Sequence, residues 1–136
     1  MPNTRTNTPR QSGFSLIELL IVIAIVAILV NIAAPSYANF MTKSSRQDAV
    51  SLLSKTALRL ERCFTLEGSY DGACTLKTTS DEGYYTLVAS RQALAYSLSA
   101  VPVVGGRQAH DSECATLTYS STGEKSATGS LGAACW

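Results

Sequence analysis

The chain has 136 residues and a mass of 14.4 kDa, enough for one domain of ordinary size with an extension, which excludes a two-domain enzyme. Its 11 lysines and arginines against 10 aspartates and glutamates leave a net charge of +1. This balance argues against a protein that binds nucleic acid through a high overall positive charge, although a local basic patch is compatible with it.

The first thirteen residues, "MPNTRTNTPRQSG", contain two prolines, no acidic residue and almost no apolar residue. Such a segment cannot contribute to a hydrophobic core. We therefore predict that residues 1–13 are a short leader peptide.

A membrane-length apolar segment follows the leader. Residues 14–34 number 21, close to the ~20 that a helix needs to cross a bilayer core. Fourteen of them are Leu, Ile, Val or Phe, and at roughly −0.3 to −0.6 kcal/mol each they outweigh the cost of the one acidic residue, Glu18. The segment is predicted to be a transmembrane helix.

The helical pattern continues beyond the apolar segment. Pro35 removes one backbone hydrogen bond and favours a kink, but it does not require the helix to end. Apolar residues then recur at spacings of three and four, which predicts one long helix from Phe14 to about Phe64. The apolar stripe consists of Val50, Leu53, Ala57, Leu60 and Phe64. The polar residues that fall largely off this stripe are Arg46, Ser54, Lys55, Arg59 and Arg62.

Three downstream segments are rich in β-branched and aromatic residues and are predicted to be strands: residues 84–90, residues 93 or 94 to 101, and residues 114–120. Alternation places Leu94, Tyr96 and Leu98 on one face of the second segment. Residues 68–74 and 104–113 are predicted to be loops, and residues 121–126 a turn. A small antiparallel sheet packed on the long helix gives an α+β fold, with residues 35–136 forming the head.

All four cysteines, Cys63, Cys74, Cys114 and Cys135, lie in the head. An even number in a small head predicts two disulfides and an oxidising compartment. Three pairings are possible, and closeness in sequence favours Cys63 with Cys74 and Cys114 with Cys135. The positive charges flanking the membrane segment are balanced, so the cysteines decide the orientation: the head lies outside the cytoplasm.

A basic leader before an apolar run is also typical of a secretory signal that is cleaved after Ala34 or Ala38. That alternative does not explain Glu18 within the segment. It also leaves the amphipathic helix that follows unexplained.

The residues "GFSLIELLIVIAIVAIL" resemble the amino-terminal signature of type IV pilins: a short basic leader ending in Gly13, then Phe14, then Glu18. The resemblance implies the type IV pilin fold, cleavage between Gly13 and Phe14 by prepilin peptidase, and methylation of the new amino group. It also implies that Pro35 corresponds to the proline that kinks the long helix of that family.

Cleavage would give Glu18 a function. The freed amine of Phe14, with an ordinary pKa of about 7.7 to 8.0, can be cationic and can pair with Glu18 of a neighbouring subunit. Two charges that are each costly in lipid then become complementary on assembly. A simpler alternative is that Glu18, near the end of the segment, only reaches the lipid headgroups.

The head resembles, with looser motifs, the PilE-type minor pilins of type IVa pili. The residues concerned are "LERCFTLEGSYDGAC", "ALAYSLSAV" and the ending "DSECATLTYSSTGEKSATGSLGAACW". By this resemblance Cys114 and Cys135 would close the carboxy-terminal loop.

The sequence contains no motif that predicts an enzyme, a metal site or a cofactor. His110 lacks neighbouring ligand residues, and Asp81 with Glu82 and Asp111 with Glu113 lack the repeated oxygen ligands of a calcium loop. We interpret these residues as solvated loops and turns.

The sequence therefore predicts a minor pilin that resides in the inner membrane and then in the extracellular pilus, with its head periplasmic or extracellular. Its expected partners are other pilin subunits, prepilin peptidase, the inner-membrane assembly machinery and the membrane itself. The expected roles are pilus assembly, twitching motility and adhesion.

Two alternatives remain. One is a minor pilin that binds DNA through its head during natural transformation. The other is a pseudopilin of a type II secretion system, against which the cysteines argue, since such heads often rely on calcium instead.

Overall fold

The computed structural model describes residues 13–136, so all but Gly13 of the predicted leader lies outside the described residues. The chain divides into two compact units. The first ends at Tyr37 and the second comprises Ala38–Trp136.

One helix and four strands make up the regular structure of the described residues, as the sequence predicted for an α+β fold. The helix α1 comprises Leu16–Glu67 and contains Pro35. The strands are β1 (Tyr85–Gln92), β2 (Ala95–Pro102), β3 (Leu117–Ser120) and β4 (Lys125–Ala127). Two short 3₁₀ helices comprise Arg107–His110 and Gly132–Cys135.

The four strands form an antiparallel sheet in the order β1-β2-β3-β4. The sequence did not predict β4, of which Lys125 and Ser126 were assigned to a turn. With only three residues, Lys125, Ser126 and Ala127, β4 has no alternating pattern of its own. It is defined by its pairing with β3, in which Leu117 lies opposite Ala127.

The core of the head lies between α1 and one face of the sheet. The helix contributes Leu53, Ala57 and Leu60 from the predicted stripe, together with Ala49, Leu52 and Thr56. Val50 and Phe64, at the two ends of the stripe, are half-buried against this core. The sheet contributes Tyr85, Tyr96, Leu98, Ala100 and Leu117.

The buried face of β2 begins two residues later in the chain than the sequence predicted. Tyr96, Leu98 and Ala100 alternate as buried residues, whereas Leu94 lies in the turn before β2 and is exposed. The alternation was correctly recognised. Its first member was wrong because the sequence pattern alone does not show where the hairpin turns.

Candidate functional site

The first unit presents an apolar helical surface that no other described residue covers. From Phe14 to Ile32 its large apolar side chains are about half exposed or more, and Phe14 is 87% exposed. One helix in residues 13–136 is long and apolar enough to cross a membrane. Because water is a poor solvent for such a surface, lipid or another apolar surface is expected to cover it.

Glu18 lies in the first turn of α1, where a negative charge is favourable at the positive end of the helix dipole. Among residues 13–136 no cationic group lies within ion-pair distance of it. Glu18 is therefore an exposed acid on a largely apolar surface, without an ion-pair partner among residues 13–136.

Pro35 lies inside α1 and provides no N–H for the carbonyl of Asn31. The side chain of Asn31 donates a hydrogen bond to the carbonyl of Ala27, 2.8 Å away. The helix here is held by fewer backbone hydrogen bonds than elsewhere, and a kink at Pro35 stays a prediction.

Within the head, an ion-pair cluster joins α1 to the carboxy-terminal region. Arg46 donates from Nε to Asp111 Oδ2 at 2.6 Å and from Nη2 to Asp111 Oδ1 at 2.8 Å. Its Nη2 also lies 2.9 Å from Glu113 Oε2. Asp111 accepts two further bonds, from the backbone N–H groups of Glu113 and Cys114. The side chains of Arg46 and Asp111 are 8% and 2% exposed, so both charges are shielded from water.

The pKa values of Arg46 and Asp111 both shift in the direction that favours the charged form of each side chain. Burial alone would raise the pKa of Asp111, but the Arg46 guanidinium and the N–H groups of Cys114 and Glu113 outweigh burial and lower it. The hydrogen bond to Asp111 is the main cause that raises the pKa of Arg46. Both groups remain ionised through the physiological range.

Two interpretations from the sequence were wrong here. Arg46 was placed among the polar residues off the buried stripe, yet it is buried. Asp111 was interpreted as part of a solvated turn, yet it is buried and paired, whereas Glu113 is half exposed. No local pattern marks the pair, because its members are 65 positions apart.

A second polar cluster lies at the other end of the head, near the end of α1. The hydroxyl groups of Tyr70 and Tyr96 donate to the two carboxylate oxygens of Glu61 at 2.9 and 3.0 Å. Burial, reinforced by the bond to Glu61, raises the pKa of both tyrosines. Arg91 donates to the carbonyls of Gly72 and Cys74, which fixes the loop after α1 against β1.

Both disulfides are present, and they are the two pairings that closeness in sequence favours. Cys63 is bonded to Cys74 and closes the loop after α1. Cys114 is bonded to Cys135 and closes the carboxy-terminal loop, which begins three residues after the ion-paired Asp111. Each loop is thus held by a covalent bond and by a polar contact close to it.

The remaining candidates do not form a metal site within the described residues. No group of three or more His, Cys, Asp or Glu side chains in residues 13–136 is arranged to hold a metal ion. His110 is exposed. Asp81 is exposed and paired with Lys55 and Lys77, whose hydrogen bonds lower its pKa to about 2.

Several basic side chains of the head form no ion pair within the described residues. They are Lys43, Arg59, Arg62, Arg91, Arg107 and Lys125. Lys125 lies 5.2 Å from the ring centre of Trp136, a cation–π distance. Trp136 also packs at an angle against Tyr119, so an aromatic pair with an adjacent cation lies at the β4 edge of the sheet.

Two protein-family models match the chain. One, described as "Prokaryotic N-terminal methylation motif", matches residues 8–33. The other, described as "Type IV minor pilin ComP, DNA uptake sequence receptor", matches residues 35–118, more than half of the chain. The chain belongs to the type IV pilin family. The resemblance drawn from the amino-terminal residues is thereby confirmed, and the model that matches the head describes a minor pilin.

Curated relatives of this pilin include type IV major fimbrial proteins FimA from Dichelobacter nodosus. One is 39% identical over 69 residues, which are 51% of this chain and 44% of the relative. Another is 41% identical over 64 residues, which are 47% of this chain and 37% of the relative. This pilin therefore spans less than half the length of these relatives.

Solved structures show the same fold. A type IV pilin from Shewanella oneidensis is 28% identical, with a TM-score of 0.50 over 62% of this chain and 89% of the other. The non-core minor pilin PilV from Neisseria meningitidis is 19% identical, with a TM-score of 0.55 over 66% of this chain and 89% of the other. The predicted pilin fold, a long apolar helix with an antiparallel sheet, is confirmed.

Proposed function

We propose that this protein is a structural, non-enzymatic minor subunit of a type IV pilus that assembles through the packing of its amino-terminal helix. The observation that carries the proposal is the uncovered apolar surface of residues 14–34, whose one acid, Glu18, has no ion-pair partner among residues 13–136. The match of the methylation-motif model to residues 8–33 supports it. This surface suits a helix that is first covered by lipid and later by other pilin helices.

In this proposal prepilin peptidase cleaves between Gly13 and Phe14 and methylates the new amine. Residues 14–34 hold the subunit in the inner membrane, with the head on the periplasmic side, until the assembly machinery extracts it into the extracellular pilus. Glu18 then pairs with the amine of a neighbouring subunit, which favours one register of the helices. The filament would support twitching motility and adhesion.

Mass spectrometry of the mature protein tests the processing step. We expect a chain that begins with N-methylated Phe14 and contains no free thiol. A chain that begins after Ala34 or Ala38 would instead identify a cleaved secretory signal and overturn the proposal.

Substitution of Glu18 tests the assembly step. Glu18→Val should leave membrane insertion intact, because it removes a charge from the apolar segment. It should, however, lower the amount of the subunit found in pili sheared from the cells. Asn31→Val is the matched control, since it also replaces a polar residue of the same segment by valine. If Glu18→Val subunits enter pili as often as the control, Glu18 does not direct assembly.

A second candidate function, reception of DNA by the head, is favoured by one specific observation: the matched family model describes a DNA uptake sequence receptor. The head contains 9 basic and 9 acidic side chains, so phosphate attraction would have to come from the unpaired basic groups, among them Arg59, Arg62 and Lys125. The aromatic pair Tyr119 and Trp136 next to Lys125 offers a surface on which a base can stack.

Gel-shift titrations of the detergent-solubilised mature protein at several salt concentrations test this candidate. The affinity for DNA should fall as the salt concentration rises. The double substitution Arg59→Gln with Arg62→Gln should make the slope of log affinity against log salt concentration shallower by roughly 0.9 for each phosphate contact that is lost. Lys55→Gln with Lys77→Gln is the matched control, because both lysines are already paired with Asp81. Absence of binding at low salt would exclude the candidate.

A further inference from the structure

The head contains a groove between α1 and the turn that connects β3 to β4, here called the hairpin groove. Its volume is about 530 Å³, within the range of roughly 300 to 1,000 Å³ that is typical of sites for small molecules. All of its lining residues belong to the second compact unit, so its geometry is independent of where the first unit lies. The lining includes Ala57, Leu58 and Glu61 from α1, Tyr96 from β2, Tyr119 from β3 and Lys125 from β4.

Glu61 supplies the hairpin groove with a negative charge whose position is fixed. Its two carboxylate oxygens accept hydrogen bonds from the hydroxyl groups of Tyr70 and Tyr96 at 2.9 and 3.0 Å. No cationic group of residues 13–136 lies within ion-pair distance of this carboxylate. Each carboxylate oxygen can accept one more hydrogen bond. Because Glu61 is exposed and lines the groove, these acceptor positions are open to a ligand.

Lys125 supplies the hairpin groove with a positive charge. Its Nζ lies 5.2 Å from the ring centre of Trp136, and it forms no ion pair with Glu61 or with another acid of the described residues. The groove therefore has one charged group of each sign, and the two do not neutralise each other directly. An anionic ligand is repelled by Glu61, which cannot turn away without breaking its two tyrosine bonds, and a cationic ligand is repelled by Lys125.

The rest of the hairpin groove is partly apolar and partly lined by hydroxyl groups. Tyr119 is half-buried, and its ring is supported by Trp136, with ring centres 5.8 Å apart. Leu58 is 54% exposed on the side of α1 that borders the groove. Hydroxyl groups come from Ser54, Ser121 and Thr122. A ligand can therefore pack against an aromatic ring and form hydrogen bonds in the same place.

A neutral carbohydrate has the chemistry that this combination of side chains accommodates. Each sugar hydroxyl is both a donor and an acceptor, so one sugar can donate to Glu61 and accept from Lys125. Hydrogen bonds to these charged groups are stronger than those between neutral groups. The C–H groups on one face of a sugar ring are apolar and can pack against the ring of Tyr119. A neutral sugar is also repelled by neither of the two charges.

We propose that the hairpin groove binds a neutral sugar unit of a glycan. Tyr119 packs against the sugar ring, Glu61 accepts hydrogen bonds from the sugar hydroxyls, and Lys125 donates hydrogen bonds to them. The tyrosine bonds to Glu61 hold its carboxylate in place before the ligand arrives, which lowers the entropy lost on binding. The inference goes beyond the proposed assembly through the amino-terminal helix, and it holds whether or not the subunit enters pili.

A printed glycan array tests the proposal. The mature protein, labelled with a fluorophore and kept in a detergent without a sugar headgroup, is applied to an array of neutral, sialylated and sulfated glycans with duplex DNA on the same slide. We expect binding to at least one neutral glycan, and this binding should persist at high salt because it does not depend on a charged ligand. Absence of binding to every neutral glycan, or binding restricted to the anionic glycans or DNA, would overturn the proposal.

Substitutions inside and outside the hairpin groove locate the binding. Tyr119→Ala and Glu61→Gln should each lower the affinity for the bound glycan by roughly tenfold, since the first removes the ring contact and the second replaces a charged acceptor by a neutral one. Tyr84→Ala and Glu124→Gln are the matched controls, because neither residue lines this groove, and they should leave the affinity unchanged. Equal losses in the groove variants and the controls would contradict the assignment of the site.

Saturation-transfer NMR of the unsubstituted protein with the glycan selected on the array gives a measurement free of variants. When the aromatic protons are saturated, the transfer should be largest to the protons on one face of the sugar ring. Equal transfer to all sugar protons would contradict packing on Tyr119. An excess of glycylglycine should not displace the glycan. Displacement would instead assign the hairpin groove to a zwitterionic peptide and overturn the proposal.

Discussion

Arg46 and Asp111, 65 positions apart in the chain, form two parallel hydrogen bonds of 2.6 and 2.8 Å in the interior of the head. This pairing joins the amphipathic half of α1 to the disulfide-closed carboxy-terminal loop. The fork of the guanidinium matches the two carboxylate oxygens, and a lysine at position 46 could not reproduce this geometry.

Arg46→Met should destabilise the head by ~3 to 5 kcal/mol, because it leaves the buried carboxylate of Asp111 without its cation. Arg46→Met combined with Asp111→Leu should cost less than Arg46→Met alone, since no unpaired charge remains buried. Urea denaturation of the mature protein measures both. Lys55→Met is the control: its pair with Asp81 is exposed, and we expect little change. Equal losses for Arg46→Met and Lys55→Met would contradict the stabilising role of the buried pair.

The pairing also predicts a dependence on pH. The pKa of Asp111 is lowered in the folded state from its ordinary value of 3.8. Its contribution to stability is therefore present above that value and is lost as the pH falls through the lower, folded-state pKa. Denaturation curves from neutral pH downwards should show a smaller acid-induced loss in Asp111→Asn than in the unsubstituted protein. Parallel curves would show that other carboxyl groups cause the acid sensitivity.

The two disulfides should differ modestly in their contributions. Replacing Cys114 and Cys135 by serine opens a loop with a sequence separation of 21, and replacing Cys63 and Cys74 opens one of 11. From the entropy of loop closure, each disulfide is expected to stabilise the head by roughly 3 kcal/mol, and the disulfide that closes the longer loop by a few tenths of a kcal/mol more. Thermal unfolding of the two double variants measures the order. A larger loss from the shorter loop would mean that contacts in the folded state, and not chain entropy, dominate.

The bonds to Glu61 predict a change in tyrosine ionisation. Burial raises the pKa of Tyr70 and Tyr96, and the Glu61 carboxylate raises it further because it would repel a tyrosinate. In a pH titration that follows tyrosinate absorbance, Glu61→Gln should therefore shift part of the transition to lower pH. The variants Tyr96→Phe and Tyr70→Phe show which tyrosine is responsible for each part of the transition. A titration that is the same in Glu61→Gln would attribute the shift to burial alone.

The elements that have a local pattern can be recognised from the amino-acid sequence alone. The apolar run of residues 14–34, the recurrence of Leu53, Ala57 and Leu60, and the alternation along β2 each repeat with the period of the backbone that bears them, so they can be recognised without knowledge of the fold. The amino-terminal signature around Gly13, Phe14 and Glu18 is equally local, and the family assignment followed from it.

The pairings between distant residues became visible only in the folded structure. The burial of Arg46 and Asp111, the bonds of Tyr70 and Tyr96 to Glu61, and the pairing of β4 with β3 depend on which segments the fold brings together. A charged side chain has the same appearance in the sequence whether it is solvated or buried beside a partner. The cost of burying a charge is offset by contacts that the chain makes in three dimensions, and these leave no local pattern in the sequence.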